Sequence, residues 1–323
     1  MLFATFGVSL LVAFLASLIL VSRLRRARIV GRDIHKPGAP ETAEMGGLGV
    51  VSGFGAGVVL AIALETFWPD ILSVQFSVLL AVLCTVLLTT LIGIIDDLLG
   101  MRQWIKALLP VIAALPLMAV RAGISTMRIP LVGRVDFGPF YALLLVPFGI
   151  TGAANAVNML AGFNGLELGM GLIAMGSLAV IAFHVGAWTS LVLLLAGVGA
   201  IGGTMPFNWY PARMFIGDVG TLSIGALIAA ACIVGNFETA GIIVIIPYAI
   251  DFFFKAVHRF PTTGWGGELR NDGKLHCPSH GPISLCQRIL KLFGGLHERT
   301  LVLILIGIES IFGALAIALY LWI

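Results

Sequence analysis

Charge is what this chain has least of. Only 11% of its 323 residues are Asp, Glu, Lys or Arg, against roughly a quarter in an ordinary soluble domain, which excludes a water-soluble globule of the usual kind. Cysteine is also scarce. Cys84 and Cys232 fall in apolar runs and Cys277 and Cys286 in a polar stretch, with no dense framework that would require disulfides. The formal net charge of +3 is too small to argue for nucleic acid, and the basic residues serve better to read topology. P-loop, GxSxG and HExxH patterns are all missing, so none of those chemistries is indicated.

What fills the chain instead is apolar: 59% of residues are hydrophobic and the mean hydropathy is +1.07. Runs long enough to cross about 30 Å of hydrocarbon recur along its length. The expectation is an all-α polytopic integral membrane protein, one domain over 1–323 embedded in the lipid bilayer. Hydropathy and polar breaks place about ten helices, at roughly 2–22, 48–66, 72–95, 104–121, 139–157, 167–186, 188–205, 215–235, 239–258 and 299–322. The first run lacks a basic segment ahead of it and is followed by an Arg cluster, so it reads as a retained helix rather than a signal peptide.

With both termini outside, every basic residue but Arg121, Arg128 and Arg134 falls in an inward loop. The positive-inside rule therefore places the long loops in the cytoplasm of a multi-pass cell-membrane protein. Many of the 40 glycines lie within spans, where small residues allow close helix packing; such faces also permit a homodimer. The longest cytoplasmic loop, 259–298, includes a segment from Ile283 to Leu296 with Ser284, Gln287, Arg288 and Lys291 on one side and Ile283, Leu285, Ile289, Leu290 and Phe293 on the other. That pattern predicts a helix lying flat on the membrane interface.

Against this background NAVNMLAGFNGLE, residues 155–167, gathers Asn155, Asn158, Asn164 and Glu167 without a single Lys or Arg. Asp96 and Asp97 end the third span, Asp218 begins the eighth and Asp251 lies near the end of the ninth. By the topology above all face the cytoplasm, and polar groups at membrane depth are costly and usually functional. An aspartate at a span end also serves as a solvated cap, and Asp251 with Lys255 makes a self-neutralising i,i+4 pair. Together, adjacent carboxylates, a third carboxylate and carboxamides supply hard oxygen ligands of the kind Mg²⁺ takes while holding phosphates, Mn²⁺ being the alternative. Lys106, early in the next helix, provides the cation that phosphoryl chemistry needs. A secondary transporter also requires intramembrane acids, but those lie near the midplane between repeated halves; here they collect at one face, and no two-half repeat is evident in the hydropathy.

Four stretches carry a resemblance: PGAPETAEMGG (37–47), IIDDLLGMRQWIK (94–106), NAVNMLAGFNGLELG (155–169) and YPARMFIGD (210–218). In this order and spacing the chain resembles the polyprenyl-phosphate N-acetylhexosamine-1-phosphate transferases, membrane enzymes of glycosyltransferase family 4. Where bacterial muramoyl-pentapeptide enzymes carry DGxDG, residues 161–165 read AGFNG, similar to the archaeal and eukaryotic enzymes that act on dolichyl phosphate with UDP-GlcNAc. The resemblance implies transfer of GlcNAc-1-phosphate from UDP-GlcNAc to a polyprenyl (dolichyl-type) phosphate at a cytoplasmic-face site; another UDP-N-acetylhexosamine or UDP-MurNAc-pentapeptide is the alternative donor. It implies that Asn158 and Asp218 hold Mg²⁺, that Lys106 contacts the phosphates, and that Asp96 and Asp97 act near the lipid phosphate. Phe215 would stack on uracil with Asn164 and the Gly162 backbone fixing the base, and Glu44 would be a further nucleotide contact. Where relatives carry a basic or His-rich element that meets the sugar, this chain reads PTTGWGG, residues 261–267. His276 and His280 are candidates to approach phosphates or sugar, or else belong to an ordered turn around Pro278 and Pro282. With Cys277 and Cys286 they fit no standard zinc spacing.

Overall fold

The computed structural model describes residues 1–68, 73–129, 132–261 and 263–321. In lipid every backbone N–H and C=O must be satisfied within its own segment, so apolar runs of this length become helices. Among the described residues nine are long and apolar enough to cross a membrane: α1 Leu2–Arg26, α2 Gly47–Phe67, α3 Phe76–Leu99, α5 Tyr141–Met159, α6 Leu166–His184, α7 Trp188–Asn208, α8 Gly217–Gly235, α9 Glu238–Val257 and α11 Glu298–Leu321. The fourth expected span is a correction. Residues Gln103–Ala119 form α4, broken into short pieces at Pro110 and Pro116, because proline lacks the N–H and its ring collides with the preceding turn. Residues 72 and 322, at the ends of two expected spans, lie outside the described residues, as does 262 in the last loop.

The short helix of that loop, α10 Leu285–Leu292, is present and buries Ile289 and Leu290 as its pattern implied, but two residues of the expected polar side are inside as well. Ser284 and Gln287 are fully buried, whereas Arg288, Lys291, Leu292 and Phe293 are exposed. Ser284 caps the helix by accepting from the Gln287 N–H at 3.2 Å. Hydrogen bonds to the neighbouring loop take Ser284 and Gln287 inside along with the apolar side.

The most enclosed helix is α8, and glycines let its neighbours reach it. A Cβ built on Gly47 of α2 would stand 2.1 Å from the Gly220 nitrogen, and one on Gly93 of α3 would stand 2.5 Å from the Val219 Cα. With no hydrophobic drive between helices in lipid, such contact is the packing force. Hydroxyls add to it, as in Thr90 to Ser223 at 2.9 Å between α3 and α8.

Three small antiparallel hairpins sit in the loops: β1 Val30–Arg32 with β2 Glu41–Ala43, β3 Thr126–Ile129 with β4 Gly133–Asp136, and β5 Glu268–Leu269 with β6 Leu275–His276. The first one positions the site. Its Ala43 carbonyl accepts from the Phe215 N–H at 2.7 Å, and the Phe215 and Ile216 carbonyls accept from the Gly46 and Gly47 N–H groups at 2.7 and 2.8 Å. The first loop is thereby zipped to the segment that enters α8.

Candidate active site

Four helix ends converge where the sequence places its acids. Asp97, in the last turn of α3, accepts from the Asp218 and Val219 N–H groups at 3.0 and 3.3 Å, capping α8, whose terminal amides have no partner within the helix. Gly217 makes this possible: its φ is +69°, and a Cβ there would stand 2.4 Å from the Asp97 Oδ2. Asp96 accepts from the Met101 N–H at 2.7 Å and pairs with Lys106 at 2.8 Å. Lys106 also bonds to Asp218 Oδ2, and Asn158 of α5 donates to Asp218 Oδ1 at 2.8 Å and to Thr221 Oγ1 at 3.0 Å. Asp218 is thus gripped by three helices besides its own.

Lys106, Asn158 and Asp218 border a cavity of about 1030 Å³, whose wall also includes Asn155, Glu44, Gly162, Glu167 and Phe215. Asp96 and Asp97 are not in that wall. The Asp97 carboxylate accepts from the α8 amides behind it, and Asp96 pairs with the wall residue Lys106. Glu44 sits above the usual carboxylate range, mainly because it is partly buried and secondly because of the Asp218 charge. The Asp218 carboxylate and the Asn158 carboxamide oxygen, which meets no donor among the described residues, are hard donors suited to a small divalent cation. The Lys106 ammonium already rests against Asp218, so the position accepts positive charge.

Other expected residues are engaged in bonds that shape the fold. Asn155 borders the cavity but donates to the Ala107 and Thr151 carbonyls at 2.9 and 2.8 Å, tying α5 to α4. Asn164 is buried outside the wall: it accepts from Lys36 and from the Ala212 N–H at 2.7 Å, and donates from its backbone to Glu298 at 2.7 Å. The Glu167 carboxylate accepts from the Gly162 N–H at 2.6 Å, shaping the loop. Asp251 is fully buried, pairs with Lys255 at 2.8 Å and accepts from the Leu285 N–H at 2.7 Å, tying α9 to α10. His276 pairs with Asp272 at 2.9 Å and His280 is exposed beside the Gly281 carbonyl; neither borders the cavity.

Sequence reasoning passed over Asp33, His35, Lys36, Glu298 and Trp265. The first four cluster: one ligand atom each from Asp33, His35 and Glu298 lies within 4.8 Å of the others, an arrangement a metal would suit. Lys36 already supplies the charge there, bonding to Asp33 and standing 3.2 Å from Glu298, with its ammonium 4.6 Å over the Tyr210 ring. The only signal in the sequence was an Asp and a Lys three apart in RDIHKPG. His35 stacks flat on Phe163, centroids 4.5 Å apart, and its pKa is lowered to about 4 by burial, the Lys36 charge adding to that while Asp33 and a Gly162 backbone contact oppose it.

The sequence profile of Glycosyl transferase family 4 matches residues 79–236, which run from α3 through α8. A protein of Saccharolobus solfataricus, provisionally named UDP-N-acetylglucosamine–dolichyl-phosphate N-acetylglucosaminephosphotransferase, is 35% identical over 314 residues, covering 97% of this chain and 94% of its own. The chain belongs to glycosyl transferase family 4. This family member is also 32% identical to the phospho-N-acetylmuramoyl-pentapeptide-transferase of Geobacillus kaustophilus, over 80% of this chain and 83% of that one. It is 27% identical to the UDP-N-acetylglucosamine–dolichyl-phosphate N-acetylglucosaminephosphotransferase of Dictyostelium discoideum, over 79% of this chain and 68% of that one. The family expected from the four motifs is the one found.

Proposed function

We propose that this glycosyl transferase family 4 protein moves GlcNAc-1-phosphate from UDP-GlcNAc to a polyprenyl phosphate of dolichyl type, giving polyprenyl-diphospho-GlcNAc and UMP. The observation that carries the reading is the meeting of Asp218, Asn158 and Lys106 on one wall of a cavity large enough for a nucleotide sugar. The names of its archaeal and Dictyostelium relatives support the same donor and acceptor.

In this reading Asp218 and Asn158 would hold Mg²⁺, which would supply charge neutralisation for the diphosphate. Lys106, aimed by Asp96, meets the diphosphate oxygens. A lipid phosphate oxygen forms its bond to the β-phosphorus as the bond from that phosphorus to the bridging oxygen breaks, the electron pair leaving with UMP. A phosphate dianion is already a competent nucleophile, so no aspartate is needed as a base. Phe215, which borders the cavity ahead of Asp218, stacks on uracil. The loops richest in Arg and Lys lie at the site end of the helices, which supports a cytoplasmic site with both termini outside.

The test is UMP release from UDP-GlcNAc by purified protein with dolichyl phosphate and Mg²⁺. Turnover by the parent, lost in Asp218→Ala and Asn158→Ala and on chelation of Mg²⁺, is the expected result. Turnover in Asp218→Ala equal to the parent would remove that residue from the site, and absence of UMP with every UDP-sugar from folded parent overturns the assignment. Phe215→Ala is expected to weaken UDP-sugar binding by about three- to ten-fold, the loss of one aromatic stack, and an unchanged binding constant would sink the stacking role.

A further inference from the structure

The inward stripe of α11 is apolar except at one place beyond its first turn. Leu301, Val302, Leu305, Gly313 and Ala316 are buried there, and among them stands Glu309, fully buried and about 16 Å past Glu298 along the helix. Neither of its carboxylate oxygens meets a hydrogen-bond donor among the described residues, and no ion pair among them includes it. A lone carboxylate at membrane depth is costly, and buried polar groups normally find partners. Glu309 calls for one.

The long helices packed on α11 are α6 and α9. The α6 contact brackets Glu309: Cβ atoms built on Gly169 and Gly313 would stand 2.3 Å from the Ile306 Cδ1 and 2.2 Å from the Ser177 Oγ, and Ile306 and Gly313 lie one turn to either side of Glu309. The basic residues of these three helices are His184 in the last turn of α6, Arg299 in the first turn of α11, and Lys255. Arg299 lies 5.3 Å over the Tyr210 ring. Lys255 is already answered, paired with Asp251 at 2.8 Å, bonded to the Met159 carbonyl and 4.8 Å over the Trp265 ring. What does stand near Glu309 is a second orphan, the Tyr248 hydroxyl of α9, fully buried without a partner among the described residues and in the field of both Glu309 and Glu167. Pro247 beside it has no N–H, so the Ile243 carbonyl loses its helical donor. Glu167, whose Oε2 is likewise unpartnered, borders the substrate cavity. Oxygen atoms without donors thus run from the cavity toward the middle of the bilayer.

We propose that Glu309 and the Tyr248 hydroxyl form a binding site for a monovalent cation, a proton or an alkali ion, reached from the cavity past Glu167. One unit of positive charge neutralises one carboxylate, whereas a divalent ion would leave net charge in hydrocarbon. An occupied site fastens α11 to α9 and α6, whose cytoplasmic ends carry Lys255 and Glu167 of the cavity wall. The site stands independently of the UDP-sugar reading.

Thermal unfolding of the full chain in detergent tests it, over a pH series and over sodium and potassium chloride titrations balanced with choline chloride. A cation that binds the folded state raises the unfolding temperature. The reading is the difference between the parent and Glu309→Gln, whose amide carries no charge, because Glu167, Asp251, Lys255, Cys286 and Glu298 on the same and packed helices are common to both. The parent is expected to gain stability over the variant as the cation is supplied. A gain that grows toward acid pH alone assigns a proton, and one that grows with sodium or potassium at fixed pH assigns an alkali ion. Tyr248→Phe is expected to shift the half-effect concentration of that cation by roughly ten-fold, the scale of one hydrogen bond to a charged group; an unchanged value removes the hydroxyl from the site. Parallel responses of parent and Glu309→Gln to pH and to both salts overturn the proposal. If the glutamine variant is not recovered folded, dicyclohexylcarbodiimide, an apolar reagent that adds to buried carboxylic acids, is applied to the parent and located by mass spectrometry. Coupling at Glu309 that falls as pH rises or as alkali ion is added supports the site, and coupling that is absent or indifferent to both overturns it.

Discussion

At the residue scale the site depends on one carboxylate bonded to backbone amides. Asp97 caps α8, and an anion at a helix N-terminus satisfies orphan amides and faces the favourable end of the dipole. Asp97→Ala is therefore expected to cost about 1–2 kcal/mol of stability and to cut turnover, whereas Asp97→Asn, which keeps an acceptor, stays folded with a smaller loss; thermal unfolding in detergent beside UMP release measures both. An alanine variant as stable as the parent would show that the cap is idle. His35 makes a pH prediction. Its folded pKa of about 4 lies below the ordinary 6.5, so the unfolded chain binds the proton first as pH falls. The stabilisation is complete above about 6.5 and drains away toward 4, by roughly 3 kcal/mol at most. Asp33, Lys36 and Glu298 lie beside the same ring, so the comparison must be with His35→Gln, whose acid limb of stability over that window is expected to be flatter. Asp96, Lys106, Asn158 and Asp218 were legible because a polar group stands out in an apolar run. Lys36 was not, because its partners Asn164 and Glu298 are 128 and 262 positions away, and nothing local marks a bond that only the fold creates.

At the scale of elements, α8 carries Asp218 on its first turn, and its placement is set by how closely α2 and α3 approach. Gly93→Ala would put a Cβ within 2.5 Å of the Val219 Cα; both partners are backbone, so the helices must separate. Overpacking of this kind costs about 1–3 kcal/mol and displaces Asp218, so unfolding temperature and UMP release are expected to fall together. Gly176→Ala in α6, where a Cβ meets nothing within 4 Å, is the control. There the gain in helix propensity makes the change neutral or slightly stabilising. Equal behaviour of the two variants would mean that close approach to α8 is not what these glycines provide. Hydropathy located the helices well, since length and apolar content are written locally. It did not break α4, although Pro110 and Pro116 were in plain view, and it left two buried residues on the polar side of α10. Gln287 and Ser284 read as a wet face until the carbonyls of residues 264–266 are there to receive them.

At the scale of the whole molecule, the ends of α1, α3, α5, α7 and α9 meet the starts of α2, α4, α6, α8 and α11 on one side, and the hairpin of β3 and β4 lies on the other. That hairpin sets Arg128 directly across from Arg134, two of the three basic residues that depart from the otherwise uniform distribution. Two like charges paired on an exposed ribbon are tolerated in water, not in hydrocarbon, so the ribbon must emerge from the bilayer opposite the site. The proposed cytoplasmic side is the one whose loops carry the remaining Lys and Arg, which near helix ends favour retention there. Orientation is therefore testable with two single-cysteine variants in a background where Cys84, Cys232, Cys277 and Cys286 are replaced. Arg134→Cys, exposed on the hairpin, is expected to react with a membrane-impermeant maleimide on intact cells. Arg270→Cys, exposed beside the site, is expected to react only after permeabilisation. The reverse pattern would put the UDP-sugar cavity outside the cell, away from the cytoplasmic nucleotide sugars it is proposed to use, and the topology would have to be inverted whatever the activity assay finds.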